Sequence, residues 1–108
     1  VEGLRAMMDD QSVPPLYRDV ARLRLLQLPD NILTTDQRLD IVAPMVMPGA
    51  PFRLTALELR ALIYVEQKNT DAAIEDLTVL ITDADVSAQR RQRATQLVIA
   101  LGGNPGAL

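Results

Sequence analysis

The side chains in this 108-residue chain that a metal ion or an acid–base pair would recruit first are three carboxylate pairs, Asp9-Asp10, Glu75-Asp76 and Asp83 with Asp85. A hard cation needs six or more oxygens from a shaped loop, and no loop here sets Asp at alternate positions around a turning Gly. Each pair falls at a helix end or on a face carrying other charges, where Asp and Glu are ordinarily solvated. Ser12 and Ser87 are the only serines. With no His in the chain they have no imidazole to activate them, and both precede helical stretches, which assigns them to capping. The absence of Cys removes the thiolate nucleophile, the thiolate zinc site and the disulfide. The expectation is a protein that is not an enzyme and that uses no cofactor and no metal.

Other candidates for binding are Tyr64, the four methionines and one arginine cluster. Tyr64 could hydrogen-bond a ligand, but its spacing assigns it to helix packing. Met7, Met8, Met45 and Met47 could form an adaptable surface, although Met also fills irregular cores, and packing is the expectation for them. Arg90, Arg91 and Arg93 stand in the first turns of a helical stretch, where the dipole disfavours cations. Such a cost can mark a binding role. The simpler expectation is a solvated face paired with Asp83 and Asp85. Eleven basic against fourteen acidic residues give a net charge of −3, which argues against a nucleic-acid surface.

These side chains must be held by helices. Apolar residues recur at spacings of three and four over residues 13–28, with Tyr17, Val20, Ala21, Leu25 and Leu28, and over residues 51–67, with Phe52, Ala56, Leu59 and Ile63. Residues 70–82 carry Ala73, Ile74, Leu77, Leu80 and Ile81, with Thr70 as the expected N-cap, and residues 87–101 carry Ala94, Leu97, Val98 and Leu101 before a stop at Gly102-Gly103. Ser12 is the expected cap of the 13–28 helix, which Pro29 closes, and Lys68 suits the C-terminal dipole of the 51–67 helix. Shorter helices are expected over residues 35–43, with a Thr34–Gln37 capping box and Pro44 as a stop or kink, and over residues 1–9 with Leu4, Met7 and Met8. No stretch alternates with period two, so the class is all-α with five to six helices, read as one domain over residues 1–108.

The helices also repeat. A step of 35 residues carries Leu4 to Leu39, Tyr17 to Phe52 and Ala21 to Ala56; a further step of 38 carries Leu39 to Leu77 and Ala56 to Ala94. Helix pairs recurring about every 34 residues are the mark of a tetratricopeptide-like α-α superhelix, and a small Ala at one fixed place lets two backbones cross closely. Residues 54–86 give the best single unit, with Ala61, Tyr64, Ala73 and Leu77 at its small, aromatic, small and bulky positions; Leu57 and Leu80 depart from the pattern, as does the lack of a turn Gly near Asn69-Thr70.

The run Pro15 to Arg24 (PLYRDVARLR), then Ala43 to Leu59 (APMVMPGAPFRLTALEL), then Asn69 to Ile81 (NTDAAIEDLTVLI), resembles the C-terminal half of the tetratricopeptide-like ancillary subunit of the SecYEG translocon, in its alphaproteobacterial branch. The resemblance implies a non-enzymatic protein–protein interaction module on the periplasmic side of the bacterial inner membrane. Its parent would be anchored by an N-terminal helix, and its partners would be translocon components, chaperones or client proteins. A chain beginning at Val1, already inside a helical pattern, is read as a fragment of such a parent, and no apolar stretch in it approaches the roughly 20 residues that span a bilayer.

In stacks of this kind the first helix of each pair lines the concave surface. That position gives Leu23, Arg24, Gln27, Glu58, Leu59, Leu62, Val65, Arg93, Gln96 and Leu97 as the protein-binding groove candidates. The set lacks the Lys, Asn and Arg arrangement that clamps a peptide carboxylate, so a chaperone tail is not the implied ligand. The competing reading is a structural homo-oligomerisation domain, in which residues 1–9 and the last helix bury against copies of themselves.

Overall fold

A computed structural model describes residues 2–29 and 31–104. Among the described residues there are six α-helices and no strand: α1 (Glu2–Asp9), α2 (Pro15–Leu26), α3 (Thr35–Val42), α4 (Arg53–Glu66), α5 (Thr70–Thr82) and α6 (Ala88–Ala100), with a 3-10 turn at Ala43–Val46. The all-α class read from periodicity is the class observed. Val1, expected within the first helix, lies outside the described residues. The chain divides into two compact units, residues 1–53 and 54–108, with the division at the start of α4.

Helix boundaries follow local chemistry. At α3 the Thr34 side chain accepts from the Gln37 N–H at 3.1 Å while the Gln37 side chain accepts from the Thr34 N–H at 2.9 Å, the reciprocal box expected there. Pro44 cannot continue the α-helical ladder, and the chain tightens into the 3-10 turn that contains it. The Ser87 hydroxyl oxygen accepts from the Arg90 N–H at 3.1 Å and caps α6.

Two caps differ from expectation. Asn69, not Thr70, caps α5: its side chain accepts from the Ala72 N–H at 3.4 Å, and Thr70 is already inside the helix. Ser12 does not cap α2. That helix starts at Pro15 with Pro14 at the N-cap and no side-chain cap. Ser12 stands two residues ahead of that N-cap, and its N–H and Oγ instead donate to the Asp10 carboxylate at 2.9 and 2.6 Å. Asp10 therefore ionises below the ordinary Asp range, chiefly through the Ser12 hydroxyl and next through the Ser12 N–H.

The C-terminal stops of α4 and α6 share one geometry. In α6 the Gly103 N–H bonds to the Val98 carbonyl and the Gly102 N–H to the Ile99 carbonyl, with Gly102 at φ +88°. Gly103 also has no room for a side chain, since a Cβ there would stand 2.7 Å from Val98 Cγ1. At the end of α4 the Asn69 N–H bonds to the Tyr64 carbonyl and the Lys68 N–H to the Val65 carbonyl, the same two-bond pattern. The left-handed residue here is Lys68, at φ +60°. A lysine holds the place that glycine fills at Gly102.

Burial completes the pattern. In the first unit Ala21, Leu25, Leu26, Leu33, Ile41, Val42 and Met45 are buried; in the second, Ala56, Leu57, Ala61, Ile63, Ala73, Leu77, Leu80, Val86, Ala94 and Val98. The three alanines at the repeat position, Ala21, Ala56 and Ala94, are at most 1% exposed. Tyr17 departs from its expected place in the buried stripe. It is 59% exposed, because the stripe of α2 begins a turn later at Ala21 and leaves Tyr17 beyond its N-terminal end.

Candidate protein-binding surface

The second unit carries a hollow of about 260 Å³ built by three helices. α4 contributes Glu58 and Leu62, α5 contributes Leu77, and α6 contributes Arg93, Ala94 and Leu97. Glu58 and Leu62 are four residues apart, as are Arg93 and Leu97, so each helix turns one polar and one apolar side chain to the same face. Leu77 and Ala94, each 1% exposed, form the floor, while Leu62 is 45% exposed at the edge. The interior is apolar and the rim is charged.

On that rim the Glu58 carboxylate accepts from Arg93 Nη2 at 3.0 Å and Nε at 3.2 Å, and Arg90 Nε approaches it at 3.7 Å. The hydrogen bond to Glu58, then its charge, raises the Arg93 pKa above the ordinary guanidinium value. Arg91 donates to the Ile81 carbonyl at 3.2 Å. The arginines were expected to pair with Asp83 and Asp85. Two of them instead gather at Glu58 on α4, while the Asp83 carboxylate accepts from the Asp85 N–H at 2.8 Å. The long Arg stem reaches across to the neighbouring helix, and the short Asp side chain is held by its own turn.

The ten groove candidates are distributed unevenly. Glu58, Leu62, Arg93 and Leu97 come together in this hollow; Leu59 and Val65 are half-buried outside its lining, and Gln96 is exposed. Leu23 is half-buried and Arg24 and Gln27 are exposed in the first unit. Arg24 belongs to a second hollow of about 280 Å³, lined also by Leu4, Met7, Tyr17, Val20 and Ala21. The role of Leu77 and Ala94 as a floor was not read from the sequence, although their apolar repeat positions could have supplied it.

The other chemical candidates are committed to local structure. Asp76 corrects the expectation of a solvated carboxylate: it is 5% exposed and takes both Arg60 Nε at 2.8 Å and Nη2 at 2.6 Å. The signal was its place between Ala73 and Leu80 on the apolar face of α5. Its hydrogen bonds raise the Arg60 pKa against the opposing effect of burial. The Arg60 guanidinium also lies 5.8 Å from the centre of the half-buried Tyr64 ring. Met45 is fully buried and Met8 half-buried, whereas Met7 and Met47 are 44% and 59% exposed. Among the described residues no group of three or more His, Cys, Asp or Glu side chains could hold a metal ion, and no helix is long and apolar enough to cross a membrane.

Comparison with known protein families, curated proteins and solved structures finds no match to this chain.

Proposed function

We propose that the chain is a non-enzymatic protein–protein interaction module of tetratricopeptide-like type, and that it forms the periplasmic part of a membrane-anchored, translocon-ancillary protein. The observation that carries the interaction reading is the α4–α5–α6 hollow, an apolar floor with a half-exposed leucine and an ion-paired rim. That combination suits a helix or an extended peptide whose apolar side chain enters while its polar groups meet the edge. The translocon and periplasmic assignments rest on the resemblance of PLYRDVARLR, APMVMPGAPFRLTALEL and NTDAAIEDLTVLI to that family.

The test is Leu62→Asp, assayed against purified SecYEG translocon and against an unfolded client polypeptide, with helical circular dichroism as the control for folding. Leu62 is already in contact with water, so the variant should fold and bind at least about tenfold more weakly. Equal binding by the folded variant would remove the hollow from the reading. A wild-type chain that ignores the translocon would remove the translocon assignment. The competing homo-oligomer reading is favoured by the 59% exposure of Ile99 on α6, and it requires the mass in sedimentation to rise with concentration.

A further inference from the structure

Another side of the first unit gathers charges that the fold itself leaves unused. There α1, α2 and α3 line a hollow of about 240 Å³. α1 gives it Arg5, Met8 and Asp9, α2 gives Arg22, and α3 gives Gln37, Asp40 and Ile41, with Pro44 following in the 3-10 turn. Arg22 is neutralised by Asp19 at 2.7 Å. Arg5, Asp9 and Asp40 make no hydrogen bond or ion pair with any described residue, although Arg5 and Asp9 stand one turn apart on α1. Arg5 is half-buried in this unpaired state. Gln37 takes the Thr34 N–H on its side-chain oxygen, and its amide N–H groups have no acceptor among the described residues. All three walls belong to the chain. In the second unit α4 lies over Leu77, Ala94 and Leu97; two repeat steps back these are Leu4, Ala21 and Arg24, none of which lines the polar hollow. A helix ahead of α1 in the repeat order therefore falls on a different side and leaves this one open.

The unused groups define what would fit. Two carboxylates call for a cation, and the guanidinium with the amide N–H groups calls for an anion, so an occupant of a single charge would leave half of them unsatisfied. Met8, Ile41 and Pro44 add an apolar wall. The volume falls below the range of about 300–1,000 Å³ usual for drug-sized ligands, which limits the occupant to the size of an amino acid. We propose that the α1–α2–α3 hollow binds a free α-amino acid with an apolar side chain, its ammonium held by Asp9 and Asp40, its carboxylate by Arg5 and the Gln37 amide, and its side chain laid against Met8, Ile41 and Pro44. This site lies in a different unit from the α4–α5–α6 hollow and does not depend on its role.

The experiment titrates the whole chain with leucine, with N-acetyl-leucine, which lacks the cation, and with leucinamide, which lacks the anion, and follows the backbone amide signals by NMR. Leucine should shift signals of α1 and α3 saturably, and each blocked form should bind at least about tenfold more weakly. Arg5→Gln should weaken leucine at least about tenfold while leucinamide binds as well as before. Asp40→Asn should weaken leucine in the same way while N-acetyl-leucine binds at least as well as before. Loss of structure cannot imitate that pair of results, because it would weaken every ligand together. Absence of a saturable shift, or shifts confined to the second unit, overturns the proposal. So does leucinamide binding as tightly as leucine, because the hollow would then be a seat for a cationic side chain alone.

Discussion

Asp76 and Asp10 are both acidic residues in a chain rich in them, yet burial gives them opposite tests. Asp76 is 5% exposed and depends on Arg60, whose side chain keeps 25% of its accessibility. Removing the cation strands a buried carboxylate, so Arg60→Ala should cost about 3–5 kcal/mol in urea unfolding. Asp76→Ala should cost less, because the released guanidinium can turn to water; equal losses would show that the two are buried alike. Asp10 is exposed and held by Ser12. A carboxylate whose pKa is lowered on folding contributes its stability above the ordinary value and loses it as pH falls through the lowered one. In Ser12→Ala the stronger of the two bonds disappears, and carboxyl-carbon NMR should show Asp10 titrating higher than in the parent. An unmoved titration would exclude the hydroxyl as the cause. The sequence exposed both acids but not this contrast. Periodicity places Asp76 beside Leu77 on α5, whereas its partner lies sixteen residues away on another helix, and only the fold brings the two together.

At the scale of the elements, most boundaries are legible in the sequence because they depend on residues within one turn, as the Thr34–Gln37 box, the Ser87 cap and the Gly102 stop all do. The α4 stop was read only as a lysine favoured by the dipole. Its left-handed φ of +60° was hidden, because a lysine carries no sign of it. Such a residue pays about 1 kcal/mol that glycine would not, so Lys68→Gly should raise stability by about 0.5–1 kcal/mol, read as a higher midpoint in thermal melting. A lower midpoint would mean that the lysine makes contacts worth more than its strain. Within α5, Leu80 has no exposed surface, and Leu80→Ala should cost about 2–5 kcal/mol. The ten groove candidates were less legible than the helices. A repeat position states which way a residue faces along its own helix, and the hollow exists only where three helices converge, which selects Glu58, Leu62, Arg93 and Leu97 from the set.

For the whole molecule, the all-α class and the burial of Ala21, Ala56 and Ala94 follow from spacing alone, since a small residue repeated at helical period marks close packing before any partner is known. The division into two compact units at the start of α4 does not follow from that pattern, because the repeat steps run through it without a break. Added chelator should leave the helical circular dichroism unchanged, as no side-chain cluster among the described residues is arranged for a metal. A loss of signal would reveal ligands gathered in some other way.

The chain has no Trp and only two Tyr, and these fall one to each unit. Tyr17 stands in water on α2, while Tyr64 is half-buried beneath a guanidinium on α4. Nature has thus placed one chromophore on each side of the division, in unlike surroundings. In Tyr17→Phe and Tyr64→Phe the remaining ring becomes a private optical signal for its own unit, and two denaturation curves that fail to superimpose would reveal one half melting while the other stands.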